Sequence, residues 1–321
     1  MTHATGNSPI RHIGVFLATL LLASFVLAGC ASEPTQPTTP TLTNTLAHPG
    51  APIIKIGSKN FAEQYIIGEM YALLLENAGF NAERKFDLGD TTVAHAALLS
   101  GSIDLYPEYT GTGLVGVLKQ PVSNDSQAVF QSVSQGYKEK FNLVWLQPSP
   151  MNNTQAIAIT RQSSEKYGIT TVSQFVAQAS NLVLIGPPEF KTRDDGMTGL
   201  IRIYGAFTLK EYRETDPDKR YSTLAAGQAD ATVAFSTDGG IAQFGLIVLQ
   251  DDKGLFPPYN VAPVVRQQVL DANPKIVTIL NVLAPKLTDT AMQQLNYEVM
   301  GQQKPYAEVA RTFLKHEGLI R

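Results

Sequence analysis

Ile53-Ile54-Lys55-Ile56-Gly57-Ser58-Lys59-Asn60 is the first stretch of the chain that reads as regular structure, and it decides the fold class. The β-branched run predicts a short strand, residues 57–60 a loop, and the spacing of Ile66, Ile67, Met70, Leu73 and Leu74 a helix that ends at Gly79. A second unit follows. Residues 83–86 predict a strand, Leu88-Gly89-Asp90-Thr91-Thr92 a loop, and a helix runs through Leu98-Leu99 before Ile103-Asp104-Leu105 opens another strand. Strand-like runs recur at 143–145, 156–159, 182–185, 231–235, 246–249 and 261–265, and the C-terminal part reads as helices, clearest over 289–299 and 306–316. Short strands alternating with helices predict an α/β protein with parallel sheets.

The chain repeats one phrase. Leu98-Leu99-Ser100-Gly101-Ser102-Ile103-Asp104 with Tyr109 matches Leu224-Ala225-Ala226-Gly227-Gln228-Ala229-Asp230 with Phe235, at identical spacing. A helix ending at glycine, then a strand, then an aromatic at the strand's C-terminal end would set Tyr109 and Phe235 at matching mouths of two similar lobes. Ligands of open α/β sheets bind outside the carboxyl ends of strands, so both rings would face a common cleft. The competing reading is chance recurrence of a frequent helix–glycine–strand connection.

N-terminal to this region, Arg11 and His12 lead into an apolar run over residues 13–28 that ends in Leu27-Ala28-Gly29-Cys30. That run is about 16 residues, short for a bilayer span. Small residues before a cysteine are the pattern of a secretory leader cleaved and lipidated there, so Cys30 reads as the first residue of the mature protein. Thr and Pro then dominate residues 31–52, with Pro34-Thr35-Gln36-Pro37-Thr38-Thr39-Pro40-Thr41 at the centre, which predicts an extended tether.

Cys30 is the only cysteine of 321 residues, so no disulfide is available and stability rests on core burial. Roughly 290 residues beyond the leader suffice for two lobes with separate cores. Loss of Arg11 with the leader leaves 24 Lys and Arg against 28 Asp and Glu, moving the net charge from −3 to −4. This acidic balance argues against a nucleic-acid partner.

Catalysis is poorly provided for. Beyond the tether there are two histidines, His95 and His316, no Gly-x-Ser-x-Gly elbow, and no His/Cys/carboxylate cluster at metal-ligand spacing. Gly111-Thr112-Gly113-Leu114-Val115-Gly116 has the spacing of a dinucleotide fingerprint, but Pro121, Ser123 and Asn124 interrupt the βαβ unit it would need. Neither a metal nor an organic cofactor is expected. Aromatic and basic residues at strand ends and loops stand out instead: Lys59, Tyr109, Arg193, Phe235 and Tyr259. Ring faces attract a cation that cannot donate hydrogen bonds, and Lys and Arg can hold a carboxylate, a pairing suited to a methylated zwitterion. Taken singly, each of these rings is more often core packing.

Longer motifs sharpen the reading: Ile56-Gly57-Ser58-Lys59-Asn60-Phe61-x-Glu63-Gln64-Tyr65, Asp104-Leu105-Tyr106-Pro107-Glu108-Tyr109-Thr110-Gly111-Thr112, Pro188-Glu189-Phe190-x-x-Arg193-x-Asp195-Gly196, Ser236-Thr237-Asp238-Gly239, Asp251-Asp252-Lys253-Gly254-Leu255-Phe256-Pro257-Pro258-Tyr259 and Leu295-Asn296-Tyr297. In these, over residues 54–320, the chain resembles the glycine betaine/carnitine/choline-binding proteins of osmoprotectant ABC importers.

The resemblance implies a two-lobed, type II-like periplasmic-binding-protein fold closing through a crossing-strand hinge. Residues 1–29 would be the signal peptide, 30–52 the lipid-anchored tether, 53–154 with 260–321 the first lobe, and 155–259 the second lobe with hinge strands. It also implies an extracytoplasmic, non-enzymatic protein that delivers a quaternary-ammonium solute to a permease and its ATPase. By matching position, the cage for the trimethylammonium group would draw on Tyr109 and Tyr259, with Phe235 where relatives carry tyrosine. Lys59, Thr112 and Arg193 would hold the carboxylate, and Asn153 would add a polar contact. Gln155 occupies a cage position that is usually aromatic. Its amide removes a ring face from a contact that can contribute about 2 kcal/mol when desolvated. The same fold retuned to a non-ammonium polar or aromatic solute is therefore the alternative.

Overall fold

The computed structural model describes residues 48–121, 123–192, 195–215 and 219–321. Residues 1–47, where the sequence reading places a leader, Cys30 and most of a tether, lie outside the described residues, as does Arg193.

Ten strands follow one another among the described residues: β1 (Ile53–Gly57), β2 (Asn81–Lys85), β3 (Leu105–Tyr109), β4 (Leu143–Trp145), β5 (Gln155–Ile159), β6 (Val183–Gly186), β7 (Glu211–Glu214), β8 (Ala231–Phe235), β9 (Ile247–Val248) and β10 (Val261–Arg266). They form two five-stranded sheets, ordered β2-β1-β3-β10-β4 and β7-β6-β8-β5-β9. Each sheet is the centre of one lobe.

The sheets are mixed, not parallel as the alternation predicts. β10 runs antiparallel to β3 and β4, and β5 antiparallel to β8 and β9. A helical crossover returns the chain to the end it left and yields parallel neighbours. β5 and β10 instead enter straight from the opposite lobe at the cleft and run away from it. Their first residues therefore lie beside the last residues of the strands that run toward it, Gln155 opposite Phe235 and Val261 opposite Tyr109. The two crossing segments are tied to each other by an antiparallel bridge between Asn152 and Asn260. Asn152 Oδ1 accepts from Tyr259 N at 2.6 Å, and Asn260 Nδ2 donates to Met151 O at 3.0 Å.

The repeated phrase has the same construction in both lobes. Gly101 and Gly227 take left-handed φ of 77° and 69° where a helix gives way to the next strand, a conformation that costs glycine little. Asp104 Oδ2 then accepts from Lys55 N at 2.9 Å while its own N–H donates back to Lys55 O at 2.7 Å. Asp230 Oδ2 accepts from Val183 N at 2.8 Å, and its N–H donates to Val183 O at 3.0 Å. Each aspartate registers a central strand, β3 or β8, against its parallel neighbour.

The first sheet is covered by the helix Ala62–Asn77, which buries Ile66, Ile67, Met70 and Leu75, and by the C-terminal helices Asp289–Met300 and Tyr306–His316. A separate core of Ile157, Leu184, Phe175, Phe190 and Leu200 holds the second. β7 is absent from the strand prediction because Glu-Tyr-Arg-Glu has no apolar run. As an edge strand it tolerates that polarity. Residues 48–52, inside the span that composition assigns to the tether, are seated on the first lobe, with Asn81 Nδ2 donating to His48 O and Ala51 O. The glycine-rich run after β3 winds into a π-helical turn, Thr112–Val117, where a Cβ at Gly113 would lie 2.7 Å from the Trp145 ring.

Candidate ligand-binding cleft

A cleft of about 560 Å³ lies where β3 and β8 end and β5 begins, within the size range of small-molecule sites. Lys59, Tyr109, Thr112, Asn153, Gln155, Phe235 and Tyr259 all line it. Arg193, the remaining residue singled out from sequence, lies outside the described residues.

The first-lobe wall is organised around Glu63, in the first turn of the helix Ala62–Asn77. Its Oε1 accepts from Tyr109 Oη at 2.7 Å and Asn153 Nδ2 at 2.8 Å, and its Oε2 from Asn296 Nδ2 at 2.8 Å. Asn296 Nδ2 also donates to Thr237 O at 2.8 Å. One carboxylate thus joins β3, a crossing segment and the C-terminal helix, and through Asn296 reaches the loop after β8. Burial pushes the Glu63 carboxyl above the ordinary carboxylate range, opposed by hydrogen bonds from Tyr109, Thr237, Asn296 and Asn153. Burial, and then Glu63 itself, push the Tyr109 phenol well above its usual value, so it stays a donor. The Tyr109 ring is only 4% exposed and stacks on Phe61 at 6.3 Å between centroids, with 18° between planes. Tyr259 packs against the same lobe's core, and a Cβ at Gly111 would lie 2.9 Å from its ring, so glycine is required there.

Lys59 is engaged inside the protein. Its Nζ lies 2.5 Å from Glu108 Oε1 and 3.1 Å from Thr91 Oγ1, and 4.8 Å from the centre of the Tyr109 ring. Both partners of this ion pair are buried, and Glu108 is held further by Tyr106 Oη at 2.9 Å. A ligand carboxylate would meet an ammonium that already has a carboxylate partner.

The second-lobe wall differs. Phe235 is 47% exposed. Its backbone N–H donates to Asp238 Oδ2 at 2.8 Å, and Arg220 and Tyr221 donate to the same oxygen at 2.6 and 2.5 Å, which fixes the turn that carries the ring. Gln155 is 8% exposed. Its amide nitrogen, turned as the surrounding acceptors require, donates to Asp195 O at 2.9 Å and Asp195 Oδ2 at 3.3 Å.

Sequence reasoning assigned no role to Phe61, Glu63, Asp195 or Asn296. All four stand inside the motifs quoted above. Glu63 and Asn296 are brought together only by packing of the first helix against a C-terminal one, which no local pattern announces. No group of three or more His, Cys, Asp or Glu among the described residues is placed to hold a metal ion.

Residues 52–316 match the model of the substrate binding domain of ABC-type glycine betaine transport systems. The chain is 36% identical, over 82% of its length, to the ergothioneine transport permease/ergothioneine binding protein of Helicobacter pylori, and spans 47% of that protein. It is 35% identical to the glycine-betaine-binding protein of Pseudomonas aeruginosa, covering 84% of this chain and 89% of the relative. A crystal structure of a glycine betaine/carnitine/choline ABC transporter protein superposes with a TM-score of 0.80 at 32% identity, over 83% of this chain and 99% of the other. The two lobes, their crossing strands and these matches agree: the chain belongs to the family of substrate-binding domains of ABC-type glycine betaine transport systems, which bind solutes and are not enzymes.

Proposed function

We propose that the chain captures a solute bearing a permanently charged, methylated ammonium group and passes it to the permease and ATPase of an ABC importer, while a lipid on Cys30 holds it to the membrane. The family acts outside the cytoplasm, and no helix among the described residues is long and apolar enough to cross a membrane. One observation carries the ligand assignment: the rings of Tyr109, Phe61, Tyr259 and Phe235 converge on a cavity that also contains the buried Glu63. A quaternary ammonium cannot donate a hydrogen bond, so it is held by ring faces and by a neighbouring negative charge. A cation in the cleft would favour the ionised form of Glu63, which burial disfavours. Relatives named for glycine betaine and for ergothioneine, itself a trimethylammonium compound, support the same class.

Calorimetric titration of the purified full chain against glycine betaine, choline, carnitine, proline betaine, ergothioneine and ectoine tests the ligand assignment. Binding of at least one trimethylammonium compound is expected. Silence from every quaternary ammonium on that panel would reject it. For the anchor, Cys30→Ser should move the protein from the membrane to the soluble fraction; unchanged membrane retention would rule out lipidation at that residue.

A further inference from the structure

The turn that carries Phe235 leaves β8 of the second lobe but rests on the first. Gln293 Nε2, from the helix Asp289–Met300, donates to Ser236 O at 2.7 Å, and Asn296, one turn further along that helix, donates through Nδ2 to Thr237 O at 2.8 Å. The approach is close. A Cβ at Gly239 would lie 2.5 Å from Tyr297 N and 2.8 Å from the Asn296 carbonyl carbon, both backbone atoms, so glycine is required there. The short helix Gly239–Phe244 then packs against the same helix. The lobes therefore meet here as well as at the crossing segments.

Asn296 also faces the ligand-binding acid. An asparagine amide nitrogen has two N–H groups, and here one is given to Thr237 O and the other to Glu63 Oε2, each at 2.8 Å. Turning the amide over would set its oxygen against two acceptors, so these partners fix its orientation. Asn296 Oδ1 is buried and makes no hydrogen bond among the described residues. An apolar side chain of the same size would fill this space without leaving an acceptor unmet. What Asn296 contributes is its pair of donors, one to the acid of the first wall and one to the turn of the second.

Building on the function proposed above, we propose that Asn296 is a positioning residue that couples the two walls, setting the Phe235 turn according to the state of Glu63. A hydrogen bond to a charged acceptor is stronger than one to a neutral acceptor. With Glu63 ionised beside a bound cation, the Asn296 amide is held firmly and keeps the turn where Phe235 meets the solute. Without that charge the amide is held less firmly and the ring loses its place.

The test is a pair of double-mutant cycles on the full chain. They are read as dissociation constants for glycine betaine, or for another quaternary ammonium of the titration panel should glycine betaine not bind. In the wild-type background Glu63→Gln and Phe235→Ala should be coupled, the double variant losing less affinity than the product of the two single losses by about threefold or more. With Asn296→Leu added to all four proteins, the double loss should come within about twofold of the product. A residue that only supports the fold would lower the melting temperature and leave the coupling in place. If Asn296→Leu does not fold, Gly239→Ala, which pushes the turn off the helix from the other side, takes its place with the same expectation. Losses that multiply in the wild-type background need no third variant to overturn the bridge. Coupling that survives in folded Asn296→Leu or Gly239→Ala protein overturns it as well, and either result leaves the proposed function intact. Failure of every quaternary ammonium on the panel rejects the proposed function and this inference with it.

Discussion

Tyr109 and Phe235 end equivalent strands, each preceded by a left-handed glycine and, three residues later, a registering aspartate, yet the two rings are in opposite conditions. Tyr109 is buried, stacked on Phe61 and fastened through its hydroxyl to Glu63. Phe235 is nearly half exposed and has no hydroxyl to fasten. The same backbone phrase has therefore produced one wall that is set before any solute arrives and one whose ring still has surface to cover. Preorganised contacts cost less to form on binding. The first wall should therefore carry most of the affinity, and the second, with Gln155 and Asp195 beside it, should carry discrimination among solutes.

The sharpest way to break that comparison is to truncate each ring in turn and titrate with glycine betaine. Tyr109→Ala removes a desolvated ring face and one of the Glu63 donors, and a loss of about 2 kcal/mol or more is expected, roughly thirtyfold in the dissociation constant. Phe235→Ala removes a largely exposed face, for which about 0.5–1 kcal/mol, a few-fold loss, is expected. Equal losses, or a greater one at Phe235, would show that burial in the unliganded protein does not decide which wall holds the cation.

Much of this asymmetry was out of reach of the sequence. The repeat itself was legible because helix, glycine, strand and aspartate each have a local signature, and so were most strands, since their apolar runs are short and bounded by turn residues. Edge strand β7 was not, because its residues satisfy an edge without any hydrophobic pattern. The antiparallel insertion of β5 and β10 also escaped, since a run such as residues 261–265 reads the same whichever way it enters a sheet. At the cleft, the rings could be picked out by type and position. That Lys59 is paired with Glu108, and that Glu63 rather than a lysine organises the first wall, depends on side chains far apart in the chain, Lys59 with Glu108 and Glu63 with Asn296. Gln155 was conspicuous in the sequence as a departure. Its engagement with Asp195 became visible only in the folded cleft.

A smaller effect sharpens the contrast, because the first wall contains a buried acid, Glu63, whose charge matters to the ligand. Burial raises the Glu63 carboxyl above the ordinary carboxylate range. Between the unfolded value and the raised folded one, the folded chain holds a proton that the unfolded chain has lost, so the contribution of Glu63 to stability falls as pH rises through that window. Ligand affinity should move the other way, since a cation favours the ionised form: it should strengthen as pH rises across the same window, with release of a proton on binding. Each unit of differential shift corresponds to about tenfold in affinity, and a change of that order or less is expected for glycine betaine. Glu63→Gln should bind more weakly above the window and lose the slope. Calorimetry in two buffers of different ionisation enthalpy reads the proton directly, and the Tyr109 phenol, held protonated by burial and by Glu63, does not contribute to it. Wild-type affinity that is flat with pH, or a slope that survives in Glu63→Gln, would remove Glu63 as the counter-charge and leave the first wall to its rings alone.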